Sequence, residues 1–113
     1  MRYRKLGKTG LEVSEIGLGG EWLERMDENG CKEVVHACTK HGINILDCWM
    51  SEPNVRTNIG KAIAGERDRW YIQGHIGSTW QDGQYVRTRE IPLVKEAFED
   101  LLDRLAADYI DFG

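Results

Sequence analysis

Apolar residues recur at helical spacing in three segments of the chain. The segments predicted as helices cover residues 28–40, 53–64 and 92–105. The third has the clearest stripe, because apolar side chains recur there every three or four residues along one face. Pro53 favours the start of the second helix, since its missing N–H would have no helical partner there. Gly42 and Gly65 stand where the first and second helices end.

Short apolar runs separate these helices. The runs predicted as strands cover residues 16–18, 43–46, 70–73 and 109–112. Continuous apolar character is typical of parallel strands buried on both sides. Their alternation with helices predicts an α/β fold with right-handed crossovers and helices on one face of the sheet. Residues 5–11 lie ahead of this pattern. They are predicted to form the turn between two small strands of a β-hairpin. The chain has the length of one domain, assigned to residues 1–113.

Composition and charge exclude several classes of protein. The net charge is −4 and the pI is about 5.4, whereas a nucleic-acid footprint usually shows as a basic stripe. No apolar run approaches the roughly 20 residues of a membrane helix, and no apolar segment follows the N-terminus as in a signal peptide. We therefore expect a cytoplasmic protein that binds neither nucleic acid nor membrane.

The three cysteines, Cys31, Cys38 and Cys48, match no CxxC motif. Cys31 and Cys38 are seven residues apart and share a helix face. We interpret them as small buried residues, with a metal or disulfide role as the alternative. No metal site is predicted.

The residues that follow the predicted strands carry the candidate chemistry. Gly20 and Glu21 follow the first strand, Asp47 the second and His75 the third. In parallel α/β folds, ligands bind at the carboxyl ends of the strands. Three tryptophans fall on the same predicted edge: Trp22, Trp49 and Trp80. An aromatic wall with a few ionisable groups predicts a small-molecule pocket.

Each candidate has a structural alternative. Asp47 has the alternative role of a strand-end carboxylate that accepts backbone N–H bonds. The alternative role of His75 is that of a packed or solvated loop residue. The alternative role of the tryptophans is to cover the rim of the fold. Arg56 and Arg87 are able to meet anions, but a solvated surface role is favoured for both.

Four blocks of the sequence resemble the aldo/keto reductases in order and spacing. The blocks read YRKLGKTGLEVSEIGLGG, HGINILDCW, RTNIGKAIAG and FEDLLDRLAADYIDFG. The segments GGEWL, DCWMS and QGHIGSTW are most similar to a divergent bacterial and archaeal subset, some members of which carry a C-terminal ferredoxin-like iron–sulfur domain. The resemblance covers essentially the whole chain. It implies the N-terminal portion of a (β/α)₈ TIM barrel preceded by a β-hairpin, with about the first four strands and three helices.

The resemblance also implies a chemistry. The family uses NADPH, sometimes NADH, to interconvert carbonyls and alcohols, with a Tyr, a Lys, an Asp and a His at its catalytic centre. Asp47 matches the family Asp, whereas Glu52 stands where the Tyr is expected and His75 where the Lys is expected. The family His is expected beyond Gly113. Asp47 and His75 are therefore the implied catalytic residues, with His75 as the proton donor because histidine titrates near neutral pH. The implied cofactor-binding residues are Gly20, Glu21 and Asp47.

These observations predict a nicotinamide-dependent oxidoreductase that acts on small carbonyl substrates and is inactive as this short chain. A whole barrel takes about 250 residues, so this chain supplies roughly its first half. A half-barrel leaves open sheet edges, which predicts self-association. One alternative is a non-catalytic relative that binds a nucleotide or small ligand in the same cleft. The other is a structural half-barrel that acts through oligomerisation.

Overall fold

The computed structural model describes residues 1–113 and begins with an antiparallel hairpin. Strand β1 (Tyr3–Lys5) pairs with β2 (Glu12–Ser14). Gly7 and Gly10, in the connecting turn, have φ values of 53° and 80°. Glycine adopts such positive φ angles without steric cost. The predicted N-terminal hairpin is confirmed.

A three-stranded parallel sheet follows the hairpin. Its strands, in spatial order, are β3 (Leu18–Gly19), β4 (Ile45–Cys48) and β5 (Tyr71–Gly74). The parallel arrangement is confirmed, but each strand begins one or two residues later than predicted. Before β4, Asn44 instead binds the hairpin, where its Oδ1 accepts the Ser14 N–H at 2.7 Å. The shift places Asp47 inside β4 rather than after it.

The strand predicted over residues 109–112 was wrong. Phe112 forms a single parallel bridge with Gln73. Asp111 Oδ2 accepts the backbone N–H of Ile72 at 2.8 Å. Because this side chain takes an N–H that a backbone ladder would use, pairing with β5 does not extend into a strand.

Three α-helices connect or follow the strands. They are α1 (Glu28–Lys40), α2 (Pro53–Ala62) and α3 (Ile91–Leu105). All three confirm the predicted helices to within two residues. Asp27 caps α1 by accepting the Gly30 N–H at 2.8 Å, and Glu52 caps α2 by accepting the Val55 N–H at 2.6 Å. None of the helices combines the length and the apolar character that a membrane crossing requires.

The side chains of the parallel sheet alternate between a covered face and an open face. Leu46, Cys48 and Ile72 are at most 1% exposed and belong to the core that the sheet shares with the helices. Asp47 and Gln73 alternate with them and are half-buried. Since successive strand residues point to opposite faces, the helices cover one face of the sheet, as predicted. The other face carries Asp47.

A second antiparallel hairpin, which was not predicted, lies between β5 and α3. Its strands are β6 (Ser78–Gln81) and β7 (Gln84–Arg87). Asp82 and Gly83 form its turn with φ values of 50° and 76°. Two-residue hairpin turns of this kind need positive φ at both central positions and favour Asp-Gly. The Asp-Gly dipeptide is therefore the sequence signal for this hairpin.

Candidate functional site

Asp47 and His75 meet at the carboxyl ends of two neighbouring strands. Asp47 lies in β4, and His75 directly follows β5, which pairs in parallel with β4. His75 Nε2 stands 3.1 Å from Asp47 Oδ1, and the two side chains are 35% and 43% exposed. At this distance a protonated imidazole and a carboxylate form an ion pair. The structure thus brings together the two residues that the sequence analysis selects as catalytic.

The Asp47 carboxylate has an unused acceptor. Its Oδ1 atom is shielded from solvent, and His75 Nε2 stands 3.1 Å away without the geometry of a hydrogen bond. No backbone N–H donates to this side chain. Asp47 therefore does not act as a strand-end carboxylate that accepts backbone N–H bonds, which was its alternative role. The geometry instead leaves Oδ1 available to a protonated His75 or to a donor from a ligand.

Gln73 is a second neighbour of His75. The amide Nε2 of Gln73 lies 3.2 Å from His75 Nε2. An amide nitrogen donates, so it favours an unprotonated Nε2, whereas the Asp47 carboxylate favours a protonated one. One ring nitrogen therefore faces both a donor and an acceptor. Gln73 was missed in the sequence, although its place two residues before His75 puts both on one side of the chain.

Trp49 forms an aromatic wall beside His75. The two rings meet edge to face, with centroids 6.3 Å apart and an interplanar angle of 80°. Tyr85 of β7 stacks on Trp49 with centroids 5.2 Å apart. Tyr85 was not predicted as part of the site, because the hairpin that carries it was not predicted. The wall gives the site a flat apolar side next to its ionisable pair.

The other two tryptophans on the predicted edge have different neighbours. Trp22 lies in a 3₁₀ helix, Glu21–Arg25, and is 58% exposed. The Arg25 guanidinium stands 4.1 Å from its ring centroid. Trp80 belongs to β6 and lines a separate cavity with Arg56. Of the three, Trp49 is the tryptophan that contacts His75.

Gly20 and Glu21 follow β3 at the same edge of the sheet. The Gly20 N–H donates to the Asp47 carbonyl at 2.9 Å. A Cβ at Gly20 would stand 2.7 Å from that oxygen, so only glycine allows this approach. Glu21 begins the 3₁₀ helix and is exposed. The Gly20 backbone therefore fixes the position of Asp47, and cofactor binding by Gly20, Glu21 and Asp47 stays a prediction.

Glu52 occupies the position at which the resemblance places a tyrosine. Its carboxylate accepts the Val55 N–H at 2.6 Å and caps α2. Glu52 is therefore a helix cap.

Arg56 is buried, so the surface role favoured for it was wrong. It is 1% exposed. Its Nε donates to the Met50 carbonyl at 3.0 Å, and its Nη1 lies 3.3 Å from Asp100 Oδ2. Burial lowers the pKa of Arg56, and Cys48 and Asp100 oppose that shift. Arg87, by contrast, is exposed as expected.

All three cysteines are free thiols. Cys31 and Cys48 are fully buried and Cys38 is half-buried. Burial raises the pKa of Cys31 to about 11 and that of Cys48 to about 12. Although Cys48 directly follows Asp47, it is a neutral thiol at physiological pH and a poor nucleophile.

A parallel α/β sheet with helices on one face and an Asp–His pair at its carboxyl edge has the architecture of a barrel segment. No family model matches the chain. The uncharacterized oxidoreductase YqkF of Bacillus subtilis (strain 168) is 33% identical over 115 aligned positions, which cover 98% of this chain and 37% of that protein. The aldo-keto reductase YhdN of the same organism is 31% identical over 120 positions, covering 98% and 36%.

Solved structures show the same relationship. The holo form of the aldo-keto reductase AKR11C1 from Bacillus halodurans superposes with a TM-score of 0.84 at 30% identity. The match covers 97% of this chain and 38% of that one. Over almost its whole length the chain is similar in sequence and fold to aldo/keto reductases. It spans little more than a third of the length of the curated relatives it matches.

Proposed function

We propose that this chain is the part of a nicotinamide-dependent oxidoreductase that holds the reacting carbonyl or alcohol. Residues 1–113 form one unit of a larger (β/α)₈ barrel, and further strands complete the cofactor site. On this proposal the chain alone is inactive. Its ligands in the complete barrel are NADPH or NADH and a small carbonyl compound, and its location is the cytoplasm.

The observation that carries the proposal is the contact between His75 and Asp47. Their closest atoms are 3.1 Å apart at the edge where parallel barrels bind ligands. A proton donor backed by a carboxylate is what reduction of a carbonyl needs, because negative charge develops on the carbonyl oxygen. The similarity to aldo/keto reductases supports the same chemistry.

The residues present fit the reactive end of a nicotinamide and its substrate. Asp47 Oδ1 is a shielded acceptor without a hydrogen bond. Gly19, which pairs with Asp47 across the sheet, has open space where a side chain would begin. Trp49 adds a flat wall. A bound reduced nicotinamide supplies the hydride, and the residues of this chain orient the acceptor and provide the proton.

The proton moves at one atom of this chain, His75 Nε2. When the substrate is bound, protonated His75 turns its Nε2–H from Asp47 Oδ1 to the carbonyl oxygen, donates that proton and becomes neutral. Asp47 stabilises the imidazolium before transfer. Gln73 Nε2, 3.2 Å from the same nitrogen, stabilises the neutral ring afterwards. In the opposite direction, neutral His75 accepts the proton of an alcohol.

The test compares His75→Gln with His36→Gln in the complete barrel. His36 is an exposed residue of α1, so its variant controls for loss of a histidine. We expect His75→Gln to lower turnover of a generic aldehyde about 100- to 10,000-fold and to leave nicotinamide affinity unchanged. His36→Gln should behave as the wild type. Unchanged turnover in His75→Gln would refute the role of His75.

A second candidate function is ligand binding without catalysis. It is favoured by Glu52, which caps a helix at the position where the family carries its tyrosine acid. A complete barrel that binds NADPH, seen as a change in tryptophan fluorescence, but turns over no carbonyl would establish this alternative.

A further inference from the structure

A cavity of about 220 Å³ lies outside the Asp47–His75 site, between α2, α3 and the β6–β7 hairpin. Its lining includes the apolar residues Trp80, Leu93 and Ala97. It also includes charged or polar residues: Arg56, Thr79, Gln81, Glu96, Asp100 and Arg104. The proposed oxidoreductase chemistry uses none of these residues.

Arg56 brings a buried guanidinium to this cavity. Its side chain is 2% exposed. Its Nε and Nη1 donate to the Met50 and Ala97 carbonyls at 3.0 Å and 3.4 Å. Its Nη2 makes no hydrogen bond and keeps some contact with solvent. A cationic donor with an unused N–H is therefore held at the cavity by bonds that fix its position.

The formal charges around the cavity cancel, but they are not evenly paired. Asp100 is the one carboxylate shared by two guanidiniums: Oδ2 lies 3.3 Å from Arg56 Nη1, and Oδ1 lies 2.7 Å from Arg104 Nε. This trio carries one net positive charge. Glu96 also lines the cavity, but it is exposed and forms no ion pair with either arginine. Because exposed charges are screened by water, Glu96 offsets the buried charge only weakly.

Arg104 offers a second unused donor. Its Nε binds Asp100, and its Nη1 lies 3.4 Å from Thr57 Oγ1. Its Nη2 makes no hydrogen bond. Two guanidinium groups with free N–H donors suit a carboxylate, which accepts charge-assisted hydrogen bonds on both oxygens. The apolar lining residues suit a short hydrocarbon group attached to that carboxylate.

We propose that this cavity binds a small monocarboxylate with an aliphatic or aromatic tail. The carboxylate bonds to the free N–H groups of Arg56 and Arg104, and the tail packs on Trp80 and Leu93. The site does not depend on the oxidoreductase function, because it shares no residue with the Asp47–His75 pair. The small size and partial exposure of the cavity point to a Kd on the order of 1 mM.

The test uses two ligands of nearly equal shape, 3-methylbutanoate and the neutral 3-methylbutanamide. Each is titrated into the 113-residue chain, and the indole N–H resonance of Trp80 is followed by NMR. We expect a saturable shift with the carboxylate and none with the amide. An equal response to both ligands, or no saturable response to the carboxylate, would overturn the proposal.

Variants identify the residues that bind the carboxylate. Arg56→Gln is the obvious choice, but it removes a buried group and endangers folding. Arg104→Gln is the better test, because Arg104 is 36% exposed. It should weaken carboxylate binding about tenfold to a hundredfold. Arg69→Gln, at an exposed arginine elsewhere, should leave the affinity unchanged. Equal affinities in Arg104→Gln and the wild type would refute the site.

Discussion

Gly60 and Arg104 bring α2 and α3 into backbone contact. A Cβ at Gly60 would overlap the Arg104 carbonyl oxygen and stand 2.9 Å from the Leu105 Cα. The partner is backbone, which cannot rotate aside as a side chain can. Gly60 is thus a packing requirement inside a helix, where glycine is otherwise unfavourable by about 1 kcal/mol.

We predict that Gly60→Ala destabilises the chain by about 1–3 kcal/mol, because forcing α2 and α3 apart outweighs the better helix propensity of alanine. Urea unfolding measures the change. Gly19→Ala is the control, since a Cβ there meets nothing within 4 Å. An unchanged or raised free energy of unfolding in Gly60→Ala would mean that the helices separate at no cost.

We predict that the free energy of unfolding falls at alkaline pH because Cys48 is buried. Burial raises its pKa from 9.0 to about 12, so the folded chain holds the thiol proton more tightly than the unfolded chain does. The stabilisation is complete below pH 9.0 and is lost as the pH rises from 9.0 towards about 12. In that range one thiol contributes a slope of about 1.4 kcal/mol per pH unit.

The measurement compares wild type and Cys48→Ala by urea unfolding over that pH range. Tyrosine and lysine titrate there too, but they do so in both proteins. The wild type should therefore lose free energy of unfolding more steeply than the variant. Parallel pH curves would show that Cys48 takes no part.

Much of the fold follows from local sequence signals. The apolar stripes, with Pro53 at a helix start and Gly42 and Gly65 at helix ends, place the three helices to within two residues. Helix limits depend on neighbours in the sequence, so they can be read there. The strand predicted over 109–112 fails because the carboxylate of Asp111 bonds to Ile72, far away in the chain. Such a long-range contact leaves no local pattern.

The candidate site was only partly predictable. Strand ends place Asp47 and His75 together, because parallel strands align their carboxyl edges. Gln73 and Tyr85 reach the site through tertiary contacts that periodicity does not reveal. Arg56 was misjudged because hydrophobic patterning counts every arginine as solvent-facing. A guanidinium can nevertheless be buried when backbone carbonyls and a carboxylate surround it.

Removal of Arg56 should destabilise the chain strongly. Arg56→Leu leaves the Met50 and Ala97 carbonyls without their guanidinium donor. The expected loss is about 2–4 kcal/mol, because each carbonyl left without its donor costs about 1–3 kcal/mol. Thermal or urea unfolding measures it, with the exposed Arg87→Leu as the control. A loss no larger than in Arg87→Leu would show that Arg56 is not needed for the packing of α2 against α3.

The parallel sheet has an uncovered face and an open edge. Ile45 and Tyr71 pair across β4 and β5, and both are half-buried on the side away from the helices. Strand β3 pairs with β4 alone, so its other edge has free backbone donors and acceptors. Sheet edges of this kind recruit further strands. We predict that the 113-residue chain self-associates through this face and edge.

Sedimentation over a range of concentrations tests this prediction. The mean mass of the wild type should rise with concentration, because apolar residues of the open face become buried on association. Ile45→Lys puts a charge on that face and should shift the equilibrium towards monomer. Ile91→Lys adds the same charge at a residue of α3 that is 64% exposed and should leave it unchanged. A wild type that stays monomeric at every concentration would contradict the prediction, and equal effects of the two lysines would place the contact elsewhere.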